Sequence, residues 1–374
     1  MRLTYSIADQ QWERTKSIGI FTIAVGLART LAEHPEVGQL TVLTNTTLAK
    51  SWAGNHRVRL IQQDTALHGR WGRLWWDHVG VYRAAKAAGE PWLLLPKGFA
   101  AGWSRCPVRL AVYVHDIIEL VYPERYPGYN SRWRVAYYRW LYRQTLRRAD
   151  IVFTNTGHSR DAIQQWAARQ QIACPPIVVA GYGFDWSSAA HAAADARAAV
   201  EEQILVDVRA VPHKRTDLAV AYMERWRRER GYSGRICCAG ELPPDVALPD
   251  DPAWVALGRV APSVHLDWMA RSRALVHFTE LEGFGMPPVE AVLTGTPPVF
   301  SAIPVALEVM DGTGCPFDNA DYEQFAAALD RALQVDPATC ATWRSQLAAR
   351  HSWTQVADRI VQGLSDSNYQ QNPS

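Results

Sequence analysis

The sequence predicts an α/β protein made of two halves, each with a parallel sheet covered by helices. Three observations carry this. Short apolar runs alternate with longer segments whose apolar residues recur at helical spacing. The alternation breaks once, in a proline- and alanine-rich stretch around residues 175–199, and then resumes. The chain has 374 residues, enough for two domains of ordinary size.

Composition narrows the classes. Hydrophobic residues make up 48% and charged residues 20%, which suits two buried cores and excludes a disordered chain. The formal net charge of +2 is too small to argue for a nucleic-acid partner. No uninterrupted apolar run is long enough to span a bilayer. The start, Met1-Arg2-Leu3-Thr4-Tyr5, lacks the apolar core of a signal peptide, so a cytoplasmic protein is expected. The six cysteines (106, 174, 237, 238, 315 and 340) fit no common zinc or redox spacing and read as free thiols. Most of the sixteen tryptophans read as packing.

In order, Arg2 to Ile7 reads as the first strand. A loop containing Lys16-Ser17-Ile18-Gly19 follows, then a helix to about Ala32. Gly19 in such a loop either lets a ligand approach the backbone or makes a plain turn. Residues 39–44 and 58–61 read as strands, 71–88 as a helix and 92–95 as a buried strand ending at Pro96. Residues 110–114 form a strand that ends on His115-Asp116. Ligands of open α/β sheets sit outside the carboxyl ends of strands, so this pair is a candidate site. The alternative is that Asp116 opens a turn and His115 fills space.

Residues 132–148 read as a helix with Arg132, Arg139, Arg143 and Arg147 on one face. Trp133, Tyr137, Tyr138, Trp140 and Tyr142 surround that stripe. This mixture suits the headgroup zone of an anionic membrane. A solvated face over an aromatic core fits equally. Residues 151–154 form the next strand, with Ser159 or Asp161 as the cap of the following helix. After a strand at 177–180 the texture changes. Strands at 204–208, 235–239, 254–257 and 274–278 then alternate with helices at 217–230 and 264–272. The tail 365–374 is polar and expected to fray.

Two loops carry chemistry. In Glu282-Gly283-Phe284-Gly285-Met286-Pro287-Pro288-Val289-Glu290, a buried strand turns into a helix through two glycines. Prolines fit the first helical turn, where no amide bond is lost. Such a junction offers free amides and a positive dipole end to an anion. Glu282 and Glu290 repel anions, so both read as addressing hydroxyls. The other loop, Arg209-Ala-Val-Pro-His-Lys214-Arg215, brings three cations to a second strand end. Cations there match a diphosphate and could neutralise its charge as it leaves.

Together these loops resemble glycosyltransferase family four, retaining enzymes of the GT-B fold. The family's Glu-x7-Glu signature stands here as Glu282 to Glu290, followed by Gly295-Thr296-Pro297. Its Arg-x4-Lys element stands as Arg209 and Lys214. Val114-His115-Asp116 and the segment Arg147 to Asn155 are also similar to the family's. Three departures stand out. Val208, preceded by Asp207, replaces the family's Gly, Arg215 replaces an Asn, and Ala180 to Asp185 replaces the usual hinge.

The resemblance implies two Rossmann-like domains facing across a cleft. Residues 1–180 would bind the acceptor and 181–355 the nucleotide sugar, and the helix and tail 356–374 would cross back to the first domain. It implies that Glu290 binds ribose hydroxyls and that Glu282 lies by the transferred sugar with the backbone of Gly283, Phe284, Gly285 and Met286. Arg209 and Lys214 would hold the diphosphate, and Arg259 and Val260 would meet the base. Gly19 would line the phosphate side, and His115 would contact a sugar hydroxyl. No metal or other cofactor is expected. The overall look suggests transfer of mannose or a deoxyhexose from a GDP-linked donor, with a UDP-hexose as the alternative. The acceptor is expected to be a saccharide of surface polysaccharide or lipopolysaccharide synthesis, on a lipid carrier at the inner membrane face. Two rivals come from other classes. A dinucleotide oxidoreductase requires a Gly-x-Gly-x-x-Gly turn after the first strand, where only Gly19 stands. A non-catalytic nucleotide-sugar-binding subunit would not need Glu282, Glu290, Arg209 and Lys214 intact.

Overall fold

The computed structural model describes residues 1–10, 18–52, 55–63, 67, 69–103, 105–186 and 200–369. Lys16 and Ser17, the alanine-rich stretch 187–199 and the tail after residue 369 lie outside the described residues. The chain divides into two compact units, Met1–Gly183 with His351–Ser374, and Phe184–Arg350.

The first unit is built on a seven-stranded sheet. Its strands are β1 (Arg2–Ser6), β2 (Gln39–Thr44), β3 (Val58–Gln62), β4 (Trp92–Leu95), β5 (Arg109–Tyr113), β6 (Ile151–Thr154) and β7 (Ile177–Val179). They run parallel in the order β3-β2-β1-β4-β5-β6-β7. Every residue of β4 and β6 is buried, because helices cover both faces. That is why these strands read as continuous apolar runs.

Several local expectations are corrected. Gly19 lies in the first turn of the Ile18–Glu33 helix, not in the loop before it. The Gly157–Arg169 helix is capped by Thr156, whose hydroxyl accepts from the Ser159 amide at 3.0 Å. Ser159 and Asp161 are therefore inside the helix. The segment from Arg70 to Ala88 is helical but contains a π turn at Trp76–Gly80. The last helix runs Trp353–Tyr369, so the first part of the tail is ordered structure rather than frayed. Its buried face (Val356, Ala357, Ile360, Val361, Leu364) joins the core around Leu3, Tyr5 and Phe153. Trp353 lies flat against glycines. A Cβ at Gly183 would stand 2.7 Å from the Trp353 Cα.

The second unit is built on a six-stranded sheet. Its strands are β8 (Gln203–Val208), β9 (Arg235–Gly240), β10 (Trp254–Gly258), β11 (Ala274–His277), β12 (Pro298–Ser301) and β13 (Cys315–Phe317). All pairs are parallel, in the order β10-β9-β8-β11-β12-β13. This is the doubly wound order of a dinucleotide-binding sheet, and its topological switch point falls between β8 and β11. The helices Thr216–Arg230, Pro262–Arg271, Met286–Thr294, Pro304–Met310, Tyr322–Gln334 and Pro337–Arg350 complete the unit. Among the described residues no helix is long and apolar enough to cross a membrane. Cys106, Cys174, Cys237, Cys238 and Cys315 are thiols.

Candidate active site

The switch point of the second unit gathers the charged residues. β8 and β11 are neighbours, and their register sets His277 opposite Asp207. Both are almost fully buried. His277 Nδ1 lies 3.0 Å from Asp207 Oδ2, and its Nε2 lies 3.1 Å from Glu282 Oε1. The Lys214 ammonium donates to that same Glu282 oxygen. Arg209 reaches Asp207 Oδ1 at 3.6 Å. Four side chains from two loops and two strand ends thus form one chain: Asp207, His277, Glu282 and Lys214.

Local structure explains how the loops hold this. The Arg209 amide donates to the Thr216 hydroxyl (3.2 Å), which donates to the Arg209 carbonyl (3.0 Å). That pair closes the loop over a 3₁₀ turn at Pro212–Lys214. The Glu280 amide donates to the His213 carbonyl at 2.7 Å and ties the two loops together. Arg215 bonds Glu280 at 2.6 Å and Asp217 at 3.1 Å. It acts as a strap between loops, so Arg209 and Lys214 remain as the cations placed for a ligand. Thr279 is pinned from the next strands. Its amide donates to Ser301 Oγ at 2.8 Å, and its carbonyl accepts from Asn319 at 2.9 Å.

Gly285 caps the Met286–Thr294 helix at φ 85°, a left-handed backbone suited to glycine. Pro287 and Pro288 fall in the first turn as expected. They also remove two of the amide donors that a helix start normally offers. The anion-holding capacity read from this junction is therefore smaller than a generic helix end. Gly285 and Met286 supply the other amides of that helix start. Glu290 is partly buried one turn into the helix. Arg259 is exposed and Val260 partly buried, just beyond the end of the edge strand β10.

The acid groups differ in charge state. Burial pushes Asp207 up, but the bond from His277 and the charges of Arg209, His277 and Lys214 outweigh it and hold the carboxyl well below its usual range. Burial also opposes ionisation of Glu282. The Lys214 charge and the His277 bond win there too. Glu290 goes the other way. Burial and the Asp207 charge push it up to about 7, against Arg209 and His277. His213 is pushed down to about 4 by burial and by the Lys214 charge.

The two remaining predicted residues belong to the first unit. His115 follows β5 and is buried, and its Nε2 meets the Pro96 carbonyl at 2.7 Å. A carbonyl only accepts, so Nε2 carries the proton and Nδ1 is a bare acceptor. Nδ1 has no partner among the described residues. Burial lowers the ring to about 4, so it is neutral. Asp116 opens the next turn, accepting from the Ile118 amide at 2.9 Å. The Gly19 carbonyl accepts from the Tyr182 hydroxyl at 3.2 Å. The first unit also holds a charged group beside its own switch point between β1 and β4. Lys97 pairs with Asp77 and lies 3.8 Å from the buried Asp9.

Sequence reasoning missed Asp207 and His277 as site residues, and Ser301, Asn319, Asp9, Asp77 and Lys97. One signal was available. An Asp in Ile-Leu-Val-Asp-Val and a His in Ala-Leu-Val-His-Phe interrupt strands that are otherwise apolar. A polar side chain buried in a central strand needs a partner.

Residues 202–335 match the family model for glycosyl transferases group 1. That span contains Arg209, Lys214, Arg259, Val260, Glu282 and Glu290. No curated protein matches the chain by sequence. Among solved structures, the sucrose-phosphate synthase of Thermosynechococcus elongatus is 17% identical with a TM-score of 0.69, covering 99% of this chain and 100% of that one. The Anabaena protein HepE in complex with UDP and glucose is 15% identical with a TM-score of 0.61, covering 98% and 100%. An α,α-trehalose 6-phosphate synthase from Burkholderia multivorans is 15% identical with a TM-score of 0.62, covering 99% of each. The fold, two Rossmann-like units, is GT-B. Over residues 202–335 the chain is similar to group 1 glycosyltransferases, and its fold is that of the GT-B structures.

Proposed function

We propose that this enzyme moves a hexose from a nucleoside-diphosphate sugar to a saccharide hydroxyl with retained configuration. The observation that supports this most is the convergence of Arg209, Lys214 and Glu282 at the β8/β11 switch point. Arg209 and Lys214 hold the donor diphosphate. Glu290 receives the ribose hydroxyls, Arg259 and Val260 lie along the base, and the Gly283–Met286 backbone and Glu282 address the sugar. His115 accepts a sugar hydroxyl at Nδ1, and Gly19 lines the phosphate.

In the reaction the bond from C1 to the diphosphate oxygen breaks and a bond to the acceptor oxygen forms on the same face. The acceptor proton passes to the departing diphosphate. Lys214 and Arg209 meet the charge that develops there, the work a divalent ion does elsewhere. A glutamate nucleophile is not part of this proposal.

For the donor we propose a GDP-linked mannose or deoxyhexose. A UDP-hexose is the second reading, favoured by the solved HepE complex with UDP and glucose. A panel of nucleotide sugars, scored by thermal shift and by nucleoside-diphosphate release with and without EDTA, tests both. Release from GDP sugars in EDTA is the expected result. Release from UDP sugars alone overturns the base assignment, and collapse in EDTA with rescue by a divalent ion overturns metal-free transfer. Binding without release overturns the transferase reading.

The acceptor we propose is lipid-linked and met at an anionic membrane surface, in surface-polysaccharide or lipopolysaccharide synthesis. The support is an exposed aromatic surface in the first unit. Trp133 is 87%, Trp71 78% and Trp103 63% exposed. His78 stacks on Trp103 (4.0 Å) and Trp140 (5.5 Å), joining that loop to the Arg132–Arg148 helix. Arg132, Arg139, Arg143 and Arg147 are exposed on the same helix, while Tyr142 turns inward.

A further inference from the structure

Glu282 spends one oxygen on two cations. Both His277 and Lys214 address Oε1, and Oε2 accepts no hydrogen bond among the described residues. In the proposed reaction Lys214 is wanted elsewhere, at the diphosphate. A carboxylate this enclosed, at 13% side-chain exposure, cannot lose its counter-charge without cost. What stays on Glu282 when Lys214 turns to the donor is His277.

His277 is not a simple neutral bridge. Nδ1 faces Asp207 at 3.0 Å and Nε2 faces Glu282 at 3.1 Å, and an ionised carboxylate only accepts. A ring lying between two such groups satisfies both only with a proton on each nitrogen. Asp207 is the cross-strand partner, at 2% exposure, and stands behind the ring in the position that favours and orients an imidazolium.

We propose that Asp207 and His277 form a positioning pair, an imidazolium clamp that keeps Glu282 ionised and aimed through Oε1 while Lys214 engages the donor diphosphate. Glu282 Oε2 is thereby presented to the sugar. This rests on the transferase reading above. His277 touches neither donor nor acceptor in it and acts through Glu282.

Groups of both signs face the ring from every element around it. Asp207, Arg209, His213 and Lys214 come from the β8 end and its loop, and Glu282 and Glu290 from the β11 side. His265 comes from the Pro262–Arg271 helix. Donor diphosphate adds negative charge and draws Lys214 away from Glu282, and both changes favour the charged ring.

Two measurements on the full-length chain test the pair. The first is histidine-ring ¹⁵N NMR, with and without GDP or UDP. His277→Gln identifies the signal by its loss. Both ring nitrogens of His277 are expected to be protonated near neutral pH and to stay so with nucleotide. Asp207→Asn is expected to leave a proton on one ring nitrogen only, read as a shift of the ¹⁵N signals at the same pH. A single neutral tautomer in the wild type, or a signal indifferent to Asp207→Asn, overturns the clamp whether or not sugar is transferred.

The second measurement is turnover. His277→Gln keeps a donor toward Glu282 but no charge. It is expected to lower kcat roughly 10- to 100-fold, as for loss of a preorganising charge. The donor KM should stay within about twofold. Asp207→Asn should lower kcat in the same direction with the donor KM again nearly unchanged. Wild-type kcat in His277→Gln overturns the proposal. Should His277→Gln fail to fold, the ¹⁵N shift in Asp207→Asn decides. A protonated ring in a chain that turns over no donor would break the transferase reading and leave the clamp standing.

Discussion

Lys214 shows how much one side chain carries. It pairs with Glu282 in this structure and is the cation proposed to meet the departing diphosphate. Lys214→Ala is expected to lower kcat by about 100-fold or more, the scale of losing one preorganised charge-stabilising donor. Near-normal nucleoside-diphosphate release would sink that role. Glu290 makes a different prediction, because it sits near half ionisation at neutral pH. If ribose hydroxyls donate to it, the nucleotide binds the ionised form and expels a proton. Affinity for the nucleoside diphosphate should then strengthen about tenfold between roughly pH 6 and pH 8. Glu290→Gln should bind more weakly and lose that slope. Calorimetry in buffers of different ionisation enthalpy reads the proton, and a flat profile in the wild type would refute the ribose contact. Both residues were legible in the sequence, because a spacing between loop and helix is a one-dimensional property. His277 and Asp207 were not. Their meaning lies in a cross-strand register that no local pattern contains.

Among the elements, strands and long helices were readable because covered parallel sheets leave continuous apolar runs. Caps and junctions were not. Thr156 is the cap in place of Ser159 or Asp161 because the helix already begins at Gly157 and takes both of those residues inside it. The prolines of the Met286–Thr294 helix were seen correctly, yet the donors they delete were not counted. The last helix offers the clearest mechanical test. Gly183→Ala would press a Cβ to 2.7 Å of a backbone atom of Trp353, which cannot rotate away as a side chain can. A loss of about 1–3 kcal/mol is expected, typical of overpacking. Thermal melting checks it, and an unchanged midpoint would mean that Trp353 and its helix shift freely.

For the whole molecule, the two-unit α/β plan was visible from alternation and length, and the GT-B class from two loops. The surface was only half visible. The sequence left the Arg132–Arg148 helix open between a membrane face and a solvated face over an aromatic core. The structure buries Tyr142 and leaves Trp133 outside. Binding of the full chain to vesicles rich in anionic lipid, and its release by salt, is the expected outcome of flotation. Trp133→Ala together with Arg139→Glu should abolish most of it. No binding at low salt would remove the membrane from the proposal.

The division of the chain has a consequence for its synthesis. The second unit is a continuous piece of sequence, whereas the first needs its final helix to fill the core around Leu3, Tyr5 and Phe153. On the ribosome the first unit is made first but finished last. It must wait, with an apolar groove uncovered, while the second unit emerges and folds. A chain truncated before Trp353 would carry a complete second unit and an unfinished first one.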